Sequence, residues 1–333
     1  DGHYCHDAGV LHPTRGEQPM TDVDVKGLLD PELGPILGAF ELPQMDADAV
    51  AAIRSVPFPA PALSGAVTRT EHEVPGDPPV PVRVHRPTGV EGPLPAIVTM
   101  HGGGYVIGSY DMDDPLLDRW CPSLGFVGVS VEYRLAPETP YPGPLDDCYA
   151  ALRWTDHHAD DLGIDASRIG IYGLSAGGGL AAGLGLLARD RGEVPVAFQF
   201  LDCPMLDHRG VTPSIRAQGL YVWNAASNEF GWRSYLGDLY GSDDIPPYAS
   251  AAGATDLAGL PPTCVVVGAI DGFRDENIDY AQALCQAGVD CELHVLAGLP
   301  HAYMLAPDAA AVKDAERCKE DWLARQLARL AAG

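Results

Sequence analysis

One stretch limits this chain more than any other: Arg168-Ile-Gly-Ile-Tyr-Gly-Leu-Ser-Ala-Gly-Gly-Gly179. Ile169, Ile171 and Tyr172 read as a buried strand. An Ala/Leu/Gly-rich helix follows to about Asp190. Between them lies Gly173-Leu174-Ser175-Ala176-Gly177, a G-x-S-x-G set in a strand–tight turn–helix context. In so sharp a turn a Cβ at either glycine is expected to collide with a neighbouring strand or helix. The turn lifts the Ser175 hydroxyl above the sheet and aims a helix N-terminus at whatever reacts there. The competing reading is a glycine-rich helix-packing turn with an idle serine, and partners elsewhere in the chain must decide.

The surrounding pattern is one of alternation. Ala66–Val74 and Val80–Arg86 alternate apolar and polar residues, as antiparallel strands at the start of a sheet do. Ala96–Met100 is a continuous apolar run, expected of a central strand. Helix and strand then alternate. Helices are predicted near 113–124, 145–158, 276–287 and 308–330, and strands near 126–133, 196–201, 264–267 and 292–296. This pattern builds a mostly parallel central sheet flanked by helices. Short helices are expected within 22–40 and at 46–55, the latter with Val50, Ala51 and Ile53 inward, and prolines 57, 59 and 61 mark a linker. The sixty or so residues between Leu201 and Cys264 are too many for a loop. They carry Tyr221, Trp223, Trp232, Tyr235 and Tyr240 and read as an inserted, pocket-covering element. The division is therefore 1–60 as N-terminal cap helices, 61–203 with 250–333 as the catalytic domain, and 204–249 as the inserted cap.

Acyl transfer by a serine needs a base, a group to orient the base, and donors for an oxyanion. His101-Gly102-Gly103-Gly104-Tyr105 follows the central strand, and its glycines let backbone N–H groups turn inward. The donors are assigned to Gly103, Gly104 and Ala176. A phosphate loop is the rival reading, but no Walker lysine accompanies the glycines. His301 follows the last strand and is the favoured base. His294 lies within that strand, His157 and His158 read as a solvated helix face, and His208 opens the insertion. Asp271 follows the preceding strand and is the favoured acid. Asp275 and Glu276 are its neighbours, but they open a helix, where carboxylates serve as caps and dipole partners. The order Ser175, Asp271, His301 is that of α/β-hydrolases. Tyr105, Leu174 and Trp223 are candidate pocket residues.

Composition narrows the partners. With 46 acidic and 21 basic residues the net charge is −25, which argues against nucleic acid or anionic membrane as a partner. A high-GC genome accounts for the scarcity of lysine, and salt tolerance through an acidic surface is the alternative. The eight cysteines contain no C-x-x-C pair and read as reduced core residues. No transmembrane run and no basic–apolar leader is visible, so a cytoplasmic location is expected. His3, Cys5, His6 and Asp7 have metal-ligating chemistry but lie in a segment read as loose. No metal or cofactor is expected.

Taken together, His101–Tyr105, Val131-Glu-Tyr-Arg-Leu-Ala-Pro-Glu138, Tyr141-Pro-Gly-Pro-Leu-Asp-Asp147, Gly173–Gly178, Phe273-Arg-Asp-Glu276 and Pro300-His-Ala302 carry a resemblance. From about Pro19 onward the chain resembles the bacterial hormone-sensitive-lipase-like (family IV) carboxylesterases of the α/β-hydrolase superfamily. The resemblance implies an α/β-hydrolase fold with a helical cap, and a serine esterase of short- to medium-chain acyl esters. It implies Asp271 as the acid, an oxyanion hole from the glycine run and the residue after the serine, and a homodimer. A narrower amidase or natural-product deacetylase, or a non-catalytic ligand-binding receptor, are the alternative functions. Leu174, Gly272 and Ala302 depart from the family pattern, where Asp or Thr, Pro, and Gly are usual.

Overall fold

The computed structural model describes residues 24–38, 44–56 and 62–332. Its elements, in chain order, are α1 (Gly34–Leu37), α2 (Ala47–Arg54), β1 (Val67–Val74), β2 (Val80–Pro87), β3 (Leu94–Met100), α3 (Asp114–Leu124), β4 (Val127–Val131), α4 (Gly143–His157), α5 (Ala159–Leu162), β5 (Ile164–Leu174), α6 (Ala176–Arg191), β6 (Gln199–Asp202), α7 (Ala225–Leu236), β7 (Thr263–Gly268), α8 (Arg274–Gln286), β8 (Cys291–Leu296) and α9 (Ala310–Ala332). His3, Cys5, His6 and Asp7, in the segment read as loose, and the proline linker at 57–61 lie outside the described residues.

Eight strands make one sheet in the order β1-β2-β4-β3-β5-β6-β7-β8. The β1–β2 and β2–β4 pairs are antiparallel, and all later pairs are parallel. Side chains alternate across each strand. Val98, Ile171 and Val265 therefore enter the core on the α4–α6 face. Ile97, Tyr172 and Val266 enter the opposite one with Trp120 of α3 and Trp322 of α9. Full burial of each aliphatic side chain contributes about 1.5–3 kcal/mol. Strands buried at every position, such as Val127–Val131, therefore define the middle of the sheet. β6 starts at Gln199 rather than Val196, where its neighbour β7 emerges from Pro261-Pro262, residues without N–H groups to offer a ladder.

The N-terminal segments and the insertion meet above the C-terminal ends of the parallel strands. Leu33 and Leu37 pack on Leu299, Tyr303 and Ala306, with Tyr221 and Val222 against the same cluster. Asp24 bridges to Gln218. The Met45 N–H donates to Ser227 Oγ at the start of α7, 3.1 Å. Asp46 caps α2 through the Ala49 N–H at 2.8 Å. Val50 of α2 is buried, but Ala51 is exposed. An eight-residue helix presents a single narrow stripe, and Val50 and Ile53 fill it.

Cys121, Cys148, Cys203 and Cys264 are buried, while Cys285 is exposed and Cys291 and Cys318 are half-buried. The reading of the cysteines as core residues therefore fails for Cys285, which sits on the outer side of α8. His158 also departs from a solvated face. Its ring stacks on Trp154 at 4.9 Å, and its Nδ1 lies 2.9 Å from the Trp154 carbonyl.

Candidate active site

Ser175 sits between the end of β5 and the start of α6 with φ 57° and ψ −118°, a left-handed backbone rare for a residue with a side chain. The flanking glycines make that turn possible. A Cβ on Gly173 would overlap the Gly177 carbonyl, and one on Gly177 would overlap the Met100 and His101 carbonyls at the end of β3. The turn is also tied to the next strand. The Ser175 N–H donates to the Asp202 carbonyl at 2.8 Å, and the Ser175 carbonyl accepts from the Met205 N–H at 2.9 Å.

Three sequence-distant side chains converge here. Ser175 Oγ lies 2.9 Å from His301 Nε2, and His301 Nδ1 lies 2.8 Å from Asp271 Oδ2. A carboxylate only accepts, so Nδ1 carries the proton and Nε2 is left to accept from the serine hydroxyl. The other Asp271 oxygen accepts the Phe273 N–H at 2.8 Å, which fixes the carboxylate plane. The Phe273 ring stands edge-on to His301 at 5.1 Å. Ser175 and His301 are each 7% exposed and Asp271 2%, so their electrostatics act in a site largely shielded from water.

Asp275 and Glu276 have other partners. Asp275 Oδ2 accepts the Ser214 N–H at 2.8 Å, and Glu276 Oε1 accepts the Leu206 N–H at 2.7 Å and the Asp207 N–H at 3.3 Å. Both stand in the first turn of α8, where their charge suits the helix dipole as expected, but neither caps the helix: the N-cap is Phe273 and their side chains hold the inserted segment against α8 instead. Burial pushes the Glu276 carboxyl well above its ordinary range.

The glycine loop lies beside the nucleophile. A Cβ on Gly102 would stand 3.4 Å from Ser175 Cβ. Gly103 (φ 122°) and Gly104 (φ 59°) adopt positive φ. Among the described residues the N–H groups of Gly103 and Gly104 find no protein acceptor, whereas the Gly103 carbonyl closes the loop with Val106 and Ile107, both at 3.0 Å. Ala176 opens α6, so its N–H is one of the unpaired first-turn donors. His101 supports the loop from behind. Its ring stacks on Tyr133 at 4.2 Å, its Nδ1 lies 2.7 Å from the Gly102 carbonyl, and Tyr133 Oη donates to the His101 carbonyl at 2.7 Å. Burial lowers the His101 pKa to about 4, so this ring is neutral near pH 7.

The three candidate pocket residues part company. Trp223, 5% exposed, lies on Gly104: a Cβ there would overlap the indole ring. Tyr105 is fully buried, its ring stacked on Tyr235 at 4.0 Å and its hydroxyl donating to the Met205 carbonyl at 3.1 Å. It ties the glycine loop to the cap rather than lining a cavity. Leu174 shares the face of Tyr172 and packs against the cluster that holds Trp120 of α3 and Trp322 of α9, with its Cγ 3.5 Å from where a Cβ on Gly102 would stand.

Sequence reasoning passed over several neighbours. Arg54 of α2 donates to the Val106 and Ala136 carbonyls at 2.8 and 2.7 Å, fastening the N-terminal segment to the glycine loop. The Cys203 thiol lies within 4.8 Å of ligand atoms of Asp271 and His301. Tyr133 was visible only as part of the Val131–Glu138 motif. Arg54 and Cys203 carry no local signal at all. Two surface clefts of about 400 and 540 Å³ are lined by none of these residues.

Comparison with known proteins bears on the family and the fold. Residues 97–305 match a family model described as alpha/beta hydrolase fold. The chain is 39% identical over 229 residues to carboxylesterase NlhH of Mycobacterium tuberculosis, covering 68% of this chain and 71% of that one. It is 33% identical over 229 residues to ethyl acetate hydrolase of Pseudomonas putida, with the same coverage. Among solved structures, a bacterial heroin esterase superimposes with TM-score 0.84 at 42% identity, covering 90% of this chain and 98% of that one. Among the described residues no helix is long and apolar enough to cross a membrane.

Proposed function

The chain belongs to the hormone-sensitive-lipase-like (family IV) carboxylesterases of the α/β-hydrolase superfamily and is a carboxylic ester hydrolase; from that premise we propose that it hydrolyses short- to medium-chain acyl esters through a Ser175–His301–Asp271 triad and an acyl-enzyme intermediate. The observation that carries this reading is the continuous hydrogen-bonded chain from Ser175 Oγ through His301 to Asp271.

In the first half-reaction Ser175 Oγ attacks the ester carbonyl carbon while His301 Nε2 takes its proton. Asp271 accepts the Nδ1–H and stabilises the imidazolium. The N–H groups of Gly103, Gly104 and Ala176 receive the oxyanion, aided by the positive end of α6. The tetrahedral adduct collapses, the C–O bond to the alcohol breaks, and His301 returns the proton to the leaving oxygen. Water then enters, gives a proton to His301, attacks the acyl carbon and releases the acid, and the proton returns to Ser175. The Trp223 ring against Gly104 supports a short acyl site, as does a relative named for ethyl acetate.

The same reading has the enzyme in the cytoplasm as a homodimer acting on a small-molecule ester, without nucleic acid. The net charge of −25 and the unpaired thiols among the described residues suit it. Turnover of a p-nitrophenyl ester series from acetate to laurate by wild type and Ser175→Ala is the test. Loss of several orders of magnitude in kcat is expected for the variant, with the wild-type optimum at or below eight carbons. Unchanged turnover of Ser175→Ala would remove the serine as nucleophile.

A further inference from the structure

The chain has three lysines, Lys26, Lys313 and Lys319. Lys319, on the inward face of α9, is 2% exposed. Its ammonium donates to Asp202 Oδ2 at 2.6 Å and to Glu316 Oε1 at 2.9 Å, and it sits 4.9 Å from the centre of the Tyr303 ring. These three partners surround a compact ammonium, which the flat fork of an arginine would fit less well.

Asp202 in turn joins the two halves of the reacting site. It ends β6, and no part of it is exposed. Its backbone carbonyl receives the Ser175 N–H at 2.8 Å. Its carboxylate accepts from Tyr172 Oη at 3.2 Å, three residues before the nucleophile. The same carboxylate accepts from Tyr303 Oη at 3.4 Å, two residues after the base. Ala302, between His301 and Tyr303, holds φ 60°, so the base loop depends on such outside ties to keep its shape. Burial works against the Lys319 ammonium, but Asp202, Tyr303 and Glu316 outweigh it and raise its pKa.

We infer that Lys319 and Asp202 are a positioning pair for ester hydrolysis: the buried ion pair anchors Tyr172 and Tyr303 to one carboxylate and thereby sets the 2.9 Å separation of Ser175 Oγ from His301 Nε2. Neither residue touches the ester. The pair acts on kcat through the placement of serine and base, and leaves binding of the acyl and alcohol groups alone. The inference rests on the triad reading above.

The test measures kcat, KM and the pH–rate profile from pH 6 to 9 with p-nitrophenyl butyrate. The proteins are wild type, Lys319→Met, Lys319→Arg, Tyr303→Phe and the Ser175→Ala control. Rates of the proteins that keep Ser175 are divided by the number of active sites titrated with diethyl p-nitrophenyl phosphate, and that of Ser175→Ala by protein concentration. Per titrated site, Lys319→Met is expected to lose about 10–100-fold in kcat, since misplacement by about 1 Å costs that much, with KM within about two-fold. Lys319→Arg is expected to recover part of that loss. Tyr303→Phe keeps the ring in place and is expected to lose about three- to ten-fold. It serves as the deciding arm if Lys319→Met does not fold. A merely structural role would lower the number of titratable sites and leave kcat per site and the pH profile as in wild type. That result, in Lys319→Met or in Tyr303→Phe where the former does not fold, overturns the inference. If Ser175→Ala keeps its turnover, the triad reading itself fails; if it is inactive while the per-site kcat of the other variants is unchanged, only the positioning pair fails.

Discussion

The indole of Trp223 lies directly on Gly104, filling the space that any side chain at that position would need. The inserted segment thus reaches down to the loop proposed to hold the oxyanion. The preceding residue, Val222, holds φ 64°, and the Trp223 N–H folds back on the Tyr221 carbonyl at 2.6 Å. A β-branched residue in that region is strained, so the turn bearing Trp223 is held there by its packing.

The first prediction concerns chain length. Trp223→Leu empties part of the volume above Gly104 while keeping an apolar side chain. The ratio of kcat/KM for p-nitrophenyl octanoate over acetate is expected to rise by about ten-fold, on the scale of a few buried methylenes. A ratio unchanged in the chain-length series would mean that Trp223 does not bound the acyl site.

Gly104 itself should tolerate no Cβ. Gly104→Ala combines overlap with Trp223 and a positive φ that costs an L-residue about 1–2 kcal/mol. It also disturbs one proposed oxyanion donor, a group whose loss typically costs about 10²–10³-fold in kcat. Adding Trp223→Leu relieves the overlap but not the backbone preference. The double variant should therefore regain stability in a thermal melt while kcat stays well below that of Trp223→Leu alone.

Two aspartates four residues apart should behave differently. Asp271→Asn removes the negative charge and offers an amide N–H that favours the wrong His301 tautomer, and a loss on the order of 10³–10⁴-fold in kcat is expected. Asp275 binds the Ser214 N–H of the inserted segment. Asp275→Asn should cost about 1 kcal/mol of stability and leave kcat within about three-fold. Steady-state kinetics with chemical denaturation of both variants separates the two roles.

Asp113 supplies a pH dependence of stability. It is buried, and burial raises its pKa from 3.8 to about 7. Asp114 and Glu132 add to that rise, while the Thr99 hydrogen bond at 2.6 Å opposes it. The folded state thus holds this proton more tightly than the unfolded chain. The associated stability is complete below pH 3.8 and is lost as the pH rises to about 7, at up to roughly 1.4 kcal/mol per unit. Asp113→Asn keeps an acceptor for Thr99 and cannot ionise. The difference in melting temperature, variant minus wild type, should therefore grow from pH 5 to pH 8. A difference independent of pH would contradict it.

Much of the sheet could be read from the sequence because its signals are local. Ala96–Met100 and Gly173–Gly177 carry their structure in consecutive residues: an apolar run for a buried strand, and two glycines where a Cβ would strike neighbouring carbonyls. Helix and strand alternated as the pattern indicated, and errors fell at boundaries, such as β6, or on single faces, such as Ala51. Tyr105 and Leu174 were assigned to a pocket by proximity in sequence to the glycine loop and the serine. Which way each points was not readable, since strand parity sends Leu174 toward α3 and α9 and an aromatic stack takes Tyr105 into the cap.

What the sequence determined by itself was the set of elements and the chemical types at their ends: a serine in a strained turn, glycines after β3, an aspartate after β7 and a histidine after β8. These follow from short-range sterics and burial. What only the tertiary structure decided was proximity. Ser175 and His301 are 126 residues apart in the chain, and Asp202 and Lys319 are 117 apart. No local preference specifies either meeting. Only closing the sheet and laying α9 across it brings Lys319 to Asp202, and only the packing of the inserted segment brings Trp223 onto Gly104. Such contacts arise when the whole chain has buried its apolar surface, and they leave no periodic mark on the residues that make them.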